Sequence, residues 1–126
     1  MITTLQEVRT RKDLRTFITF PEKLYKNCEN WVPSLISDEF DTLGDKNPAL
    51  EFCERACFLA LQDGKVVGRV AAIINHNANR DWNEKVVRFG WIDFIEDLDV
   101  VRALTDKVAQ WGRERDCVQI KGPLGF

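Results

Sequence analysis

The chain has almost no charge imbalance: 18 Lys and Arg against 20 Asp and Glu leave a net charge of -2. With its basic residues scattered among acids, it lacks the basic face needed to neutralise a run of phosphates. Neither nucleic acid nor an anionic membrane is therefore an expected partner. It also lacks any stretch near the roughly 18 apolar residues that span a bilayer. The opening Met1-Ile2-Thr3-Thr4-Leu5-Gln6-Glu7 has no basic segment followed by an apolar run, so no export signal is read there. These absences predict a soluble, cytoplasmic chain. Cysteine is sparse, with Cys28, Cys53, Cys57 and Cys117. Without a secretion signal they read as reduced thiols rather than a disulfide framework. Cys53 and Cys57 would share a face if helical, and His76 could join them on zinc. The spacing is not the usual C-x2-C, and buried thiols with no metal are the expectation. His76, the only histidine, sits among turn-forming asparagines without an obvious nucleophile, so it is read as a turn residue rather than a general base.

What is present is a globular composition. In 126 residues, 44% are hydrophobic and 30% charged, with four Trp and eight Phe. That is enough for one core and too little for two, so residues 1–126 read as a single domain or part of one.

Ile2 to Val8 reads as a short strand. Thr10 with Asp13 three residues on marks a helix start, and Leu14, Phe17 and Ile18 form its buried stripe. Pro21 is expected to interrupt that helix and start another turn. From Asn27 to Leu50 runs a long mixed connection with Pro33, Gly44 and Pro48, in which Ser34 to Leu43 could hold a short helix. Trp31 either pins this loop to the core or stands over a cleft. Cys57 to Gln62 and Lys65 to Ile74, joined by Asp63-Gly64, form a β-hairpin, because Asp-Gly tolerates the positive φ of a tight turn. Asn75 to Asn79 is its polar exit loop. Val86 to Ile95 is a third strand in which Gly90 suggests a bulge or a close approach. Glu96-Asp97-Leu98-Asp99 then introduces a helix. Its apolar stripe is Val100, Val101, Leu104, Val108 and Trp111, with acids at its start and Arg113 and Arg115 at its end. Cys117 to Ile120 is a last short strand.

Several segments, in their order, carry a resemblance: Trp31-Val32-Pro33, Lys46-Asn47-Pro48, Phe58-Leu59-Ala60, Asp63-Gly64, Val67-Gly68-Arg69-Val70, Phe89-Gly90-Trp91-Ile92-Asp93, the Trp111 helix and Gly122-Pro123. Together they resemble a bacterial family of GNAT-like proteins considerably longer than this chain. The order of elements matches the first two-thirds of the GNAT-type N-acetyltransferase fold. The resemblance implies an α/β (α+β) fold with a mostly antiparallel mixed sheet and flanking helices, of which this chain is the N-terminal portion, incomplete at its C-terminal end. It implies acetyl-CoA or another acyl-CoA as donor and a small-molecule or peptide amine as acceptor. The pantetheine would run along Arg88 to Ile95, with Asp93 as general base and Phe94, Ile95 and Leu98 beside the cofactor. Asp93 could equally be a strand-end residue that binds neighbouring amides.

One stretch departs from the superfamily pattern. A pyrophosphate loop uses glycines so that backbone N–H groups converge on the anion. Here Phe94 to Val101 has none, while Glu96, Asp97 and Asp99 bring negative charge there. At an effective dielectric near 20, two like charges about 4 Å apart repel by roughly 4 kcal/mol. These acids read as helix-capping groups rather than as ligands for a divalent metal. Two functions stay open: a GNAT-like acyltransferase segment, inactive by itself, or a noncatalytic binding or assembly module with a degenerate cofactor loop. The general-acid tyrosine of such enzymes would lie on a later helix, and Tyr25, far upstream, is not assigned that role. The final strand, ending in Gly122 to Phe126, is expected to need cover on its edge from another copy, a partner or further chain.

Overall fold

A computed structural model describes residues 2–26 and 36–123. In chain order the elements are β1 (Thr4–Glu7), α1 (Arg11–Leu24), α2 (Ile36–Leu43), a 3-10 turn (Pro48–Glu51), β2 (Cys53–Gln62), β3 (Lys65–Asn75), α3 (His76–Asp81), β4 (Val86–Phe94), α4 (Leu98–Arg113) and β5 (Gln119–Lys121). The strands form one sheet in the order β1-β2-β3-β4-β5. The first three pairings are antiparallel and β4 with β5 is parallel. This is the expected mixed, mostly antiparallel sheet. One face packs against α4, and the other against α1 and α2.

The hairpin follows from its turn. Asp63 and Gly64 have φ of 51° and 75°, the double positive φ of a type I′ turn that matches the right-handed twist of paired strands. β2 and β3 alternate between two buried faces. Phe58, Ala60, Val70 and Ala72 point to the α4 side, while Cys57, Leu59 and Ala71 point to the α1 side. Burial on both faces explains why these strands read as nearly continuous apolar runs.

Helix α1 begins as expected, with the Thr10 side chain accepting from the Asp13 N–H at 3.1 Å. The Asp13 carboxylate reaches back to the Arg9 N–H at 3.4 Å, one residue beyond the usual capping box. The expected break at Pro21 does not occur, and α1 continues through it to Leu24. A second expectation also gives way. Asn75 to Asn79 is no loop, because the Asn75 side chain accepts from the Ala78 N–H at 2.9 Å and nucleates α3. The remaining differences lie at element ends. β1 begins at Thr4 rather than Ile2, β2 at Cys53 rather than Cys57, and β5 at Gln119 rather than Cys117. Trp31 and Cys28 fall outside the described residues.

Two glycines seat α4. A side chain at Gly68 of β3 would meet Val100 Cγ1 at 2.9 Å and Leu104 Cδ1 at 3.0 Å. One at Gly112, near the end of α4, would meet Val87 Cγ1 of β4 at 2.6 Å. The sheet gives way under the start of the helix, and the helix gives way over the sheet at its end. Val100, Leu104, Val108 and Trp111 are buried between those points, each worth about 1.5–3 kcal/mol for a fully buried large apolar side chain. Gly68→Ala should lift the start of α4 and cost about 1–3 kcal/mol, the usual range for overpacking. Urea unfolding would measure this, and an unchanged midpoint would contradict the close seating.

Candidate functional site

The site is built on an irregularity in β4. Arg69 pairs with Asp93 and Ala71 with Gly90, so two residues of β3 span three of β4. The bulge falls at Trp91, whose φ is 46°, one residue beyond the Gly90 that the sequence suggested. The Trp91 indole donates to Glu39 Oε2 of α2 at 2.6 Å, which ties α2 to the bulge. On its other side β4 pairs with β5 only through Val86, Val87 and Arg88. Among the described residues, the rest of β4 from Phe89 to Phe94 has no strand on that side, so the sheet opens there into a wedge. Gly122 stands at the apex, and a side chain on it would run into the Phe89 ring.

Asp93 lies along this open stretch, on the α1 side of the sheet. Its Oδ2 accepts twice from the Arg69 guanidinium, from Nε at 2.9 Å and from Nη2 at 2.8 Å. Its Oδ1 accepts from the Tyr25 hydroxyl at 2.7 Å. The third arm of Arg69, Nη1, donates at 2.9 Å to the backbone carbonyl of Phe17. That carbonyl needs a donor because the residue four positions on is Pro21, which has no N–H to give. The proline that fails to break α1 thus frees a helical carbonyl for a residue of β3. Arg69 also lies over the Phe17 ring at 5.0 Å. Its side chain is 9% exposed and that of Asp93 16%. Burial pushes the Arg69 pKa down, opposed chiefly by the Asp93 charge.

Of the residues expected beside a cofactor, Phe94 and Leu98 are exposed apolar side chains at the end of β4 and the start of α4. Ile95 instead turns toward the core on the α4 side. Between them, Asp97 acts on its own helix. Asp97 is the N-cap of α4, with Oδ1 accepting from the Asp99 N–H at 2.9 Å and Oδ2 from the Gln62 side-chain amide at 3.2 Å. The Gln62 amide, followed by the Asp99 N–H, holds the Asp97 carboxyl below the usual carboxylate range. A carboxylate of the chain therefore sits where the N-terminus of α4 would receive an anion.

His76 lies on the surface, with Nε2 at 2.9 Å from Glu54, which also approaches Arg115 at 3.6 Å. Cys53 and Cys57 lie on a strand, not a helix, and each is buried, as is Cys117. Burial pushes the Cys57 thiol up to about 11. Among the described residues no three His, Cys, Asp or Glu side chains sit together as a metal site.

Sequence reasoning picked out Asp93 but missed Tyr25 and Arg69. Arg69 had a legible signal. A lone arginine inside the apolar run from Val66 to Ile74 must be buried and so requires a carboxylate.

No protein-family model matches the chain. Its mixed five-stranded sheet with flanking helices is that of the GNAT acetyltransferase fold. An acetyltransferase of the GNAT family from Staphylococcus aureus Mu50 superposes with a TM-score of 0.66 at 19% identity, over 94% of this chain and 71% of that one. AAC(6')-Iy, in complex with the bisubstrate analogue CoA-S-monomethyl-acetylneamine, gives 0.67 at 18% identity, over 99% and 81%. In sequence the chain is similar to two curated proteins. It is 32% identical over 116 residues to Protein YghO of Escherichia coli K12, covering 92% of this chain and 30% of that protein. It is 30% identical over 121 residues to the bacterial ceramide synthase of Caulobacter vibrioides, covering 94% and 32%. The chain thus spans about a third of the length of these relatives. Among the described residues no helix is long and apolar enough to cross a membrane.

Two outcomes follow from this chemistry. Arg69→Met should cost about 3–5 kcal/mol, because it strands a buried carboxylate. The double variant Arg69→Met/Asp93→Leu should cost less than that single one in denaturant titrations. Cys57 gives a pH signature. Its folded pKa lies above the unfolded value, so the unfolded chain loses the proton first, and stability should fall from about pH 9 to about 11. Cys57→Ala should flatten that fall in thermal melts across the window.

Proposed function

We propose that this chain is the donor-binding portion of an N-acyltransferase that moves an acyl group from acyl-CoA to an amine. The observation that carries the reading is the bulge of β4 at Trp91 together with the end of its pairing with β5 at Arg88 among the described residues. A pantetheine arm carries amides, and the N–H and C=O groups of a strand edge are what such an arm can hydrogen-bond along. The same fold in AAC(6')-Iy is seen with a CoA-containing analogue, which supports a thioester donor here. Phe94 and Leu98 offer apolar surface beside the slot. Asp93 is the base that takes the proton released as the amine attacks the thioester carbonyl.

The acceptor class follows from the relative named bacterial ceramide synthase. A ceramide is the fatty amide of a long-chain amino alcohol, so the first acceptor to test is a long-chain amino alcohol and the first donor a fatty acyl-CoA. The reaction belongs in the cytoplasm, where acyl-CoA is available. The segment of 126 residues does not turn over by itself, and the wedge between β4 and β5 is completed by more of the protein.

A second reading has its own observation. The glycine-free stretch Phe94 to Val101 and the Asp97 cap leave the N-terminus of α4 occupied by the protein itself, as in a binding module that has lost its cofactor. Thermal shift of the protein carrying this chain in full separates the two. An acyl-CoA ligand should raise the melting temperature with concentration, by about 2.7 kcal/mol in stability at 100 times Kd. A melting temperature unmoved at millimolar acyl-CoA would replace the enzyme with the binding module.

A further inference from the structure

We propose a second binding site, for the phosphate group of a small phosphate monoester, in the cleft where the start of α1 and the end of α2 meet β2. It stands independently of the acyl-transfer reading.

A cavity of about 380 Å³ lies there, within the size range of small-molecule sites. Four basic side chains line it, Arg9, Arg11, Lys46 and Arg55, against two acids, Asp41 and Asp45. Charges scattered along the sequence are thus gathered by the fold, in a number suited to one anion rather than to a run of them. Helix α1 leads from this cavity at Thr10 to Tyr25 beside Asp93, about 20 Å at 1.5 Å per residue. The two places are therefore separate.

The basic groups differ in how far they are already engaged. Arg9 is taken by Glu7 at 2.9 Å. Among the described residues, Arg11 and Lys46 have no carboxylate within salt-bridge distance. Arg11 is stacked on the Phe40 ring of α2, 4.6 Å from its centroid. Such stacking leaves the N–H groups in the guanidinium plane for another acceptor. Lys46 stands beside a fixed residue. Asn47 donates through Nδ2 to the Thr42 carbonyl at 2.7 Å and accepts at Oδ1 from the Ala49 N–H at 2.9 Å.

Arg55 shows what is missing. Its Nη2 donates to Asp45 Oδ1, while its Nε is buried and has no acceptor among the described residues. Nε and Nη2 form one fork, shaped for two oxygens of a single anion. The Asp45 side chain is 96% exposed, so little stability is lost when it yields its half of the fork. A carboxylate ligand would spend both its oxygens there. A phosphate monoester keeps a third for Arg11 or Lys46 and carries close to two negative charges at pH 7. Thr10 and Arg11 open α1, so the positive end of its dipole borders the same cavity.

The test is calorimetric titration of the full-length protein with glycerol 3-phosphate, with inorganic phosphate and with acetate. The two phosphates should bind more tightly than acetate. Lys46→Gln should weaken phosphate binding about 10-fold, the scale of one hydrogen bond to a charged group. Asp45→Asn, which frees the fork, should tighten it about threefold. Both side chains are exposed, so neither change threatens the fold. Lys121→Gln, on the far edge strand β5, should leave the affinity within about twofold. Prior saturation with CoA should also leave it within about twofold, since the sites are distinct. The proposal is overturned by the lack of saturable binding at millimolar phosphate, or by acetate binding as tightly. Equal weakening by Lys46→Gln and Lys121→Gln overturns it as an effect of net charge. Weaker binding in Asp45→Asn overturns the displaced-carboxylate geometry, and competition by CoA assigns the phosphate to the donor slot instead.

Discussion

The interaction on which this structure depends is the ion pair between Arg69 and Asp93. The two residues face each other across adjacent strands, and each solves a problem created elsewhere. The arginine must be buried because β3 runs between two packed layers, and it is stable there because a carboxylate and a helical carbonyl accept its three arms. The carbonyl is available because Pro21 has no N–H. The carboxylate lies on the strand that bulges and leaves its neighbour. A helix on one face and the opening in the sheet are thus joined through one guanidinium. Arginine suits that place better than lysine, since its planar fork reaches three acceptors in fixed directions.

The splay of β4 has a second cause at its far end. Among the described residues, pairing with β5 stops after Arg88, where Gly122 lies against the Phe89 ring. At the other end the bulge at Trp91 swings the strand, and the Trp91–Glu39 contact carries α2 with it. The wedge is therefore set by backbone geometry at two points rather than by a missing neighbour alone. The α4 terminus is less open than the wedge. Asp97 and Gln62 satisfy it internally, so an anion arriving there must displace a carboxylate that already belongs to the helix.

Much of the fold was legible because local chemistry and burial agree. Asp63-Gly64 fixed the hairpin, and the stripe from Val100 to Trp111 fixed α4. Of the acids at the start of that helix, Asp97 is its cap and Asp99 lies in its first turn. Pro21 and Asn75 misled because their effect depends on partners far away or on one side-chain bond. A proline inside a helix is tolerable once its orphaned carbonyl finds a donor, and here that donor lies 52 positions further along the chain. An asparagine reads as a turn residue and as a cap with equal ease. At the site, Asp93 could be found from the succession of motifs around it. Tyr25 could not, since it is 68 positions away and is brought in only by the length of α1. Arg69 stood in view as an unexplained charge in an apolar strand.

The paired glycines beneath and within α4 carry a consequence for descent. Gly68 acquires a side chain at least cost when Val100 or Leu104 becomes smaller, and Gly112 when Val87 does. Changes at these positions are not independent in energy. Lineages of this fold should therefore exchange volume between strand and helix in matched steps, with the backbone spacing kept and the bulk moving from one side of the seam to the other.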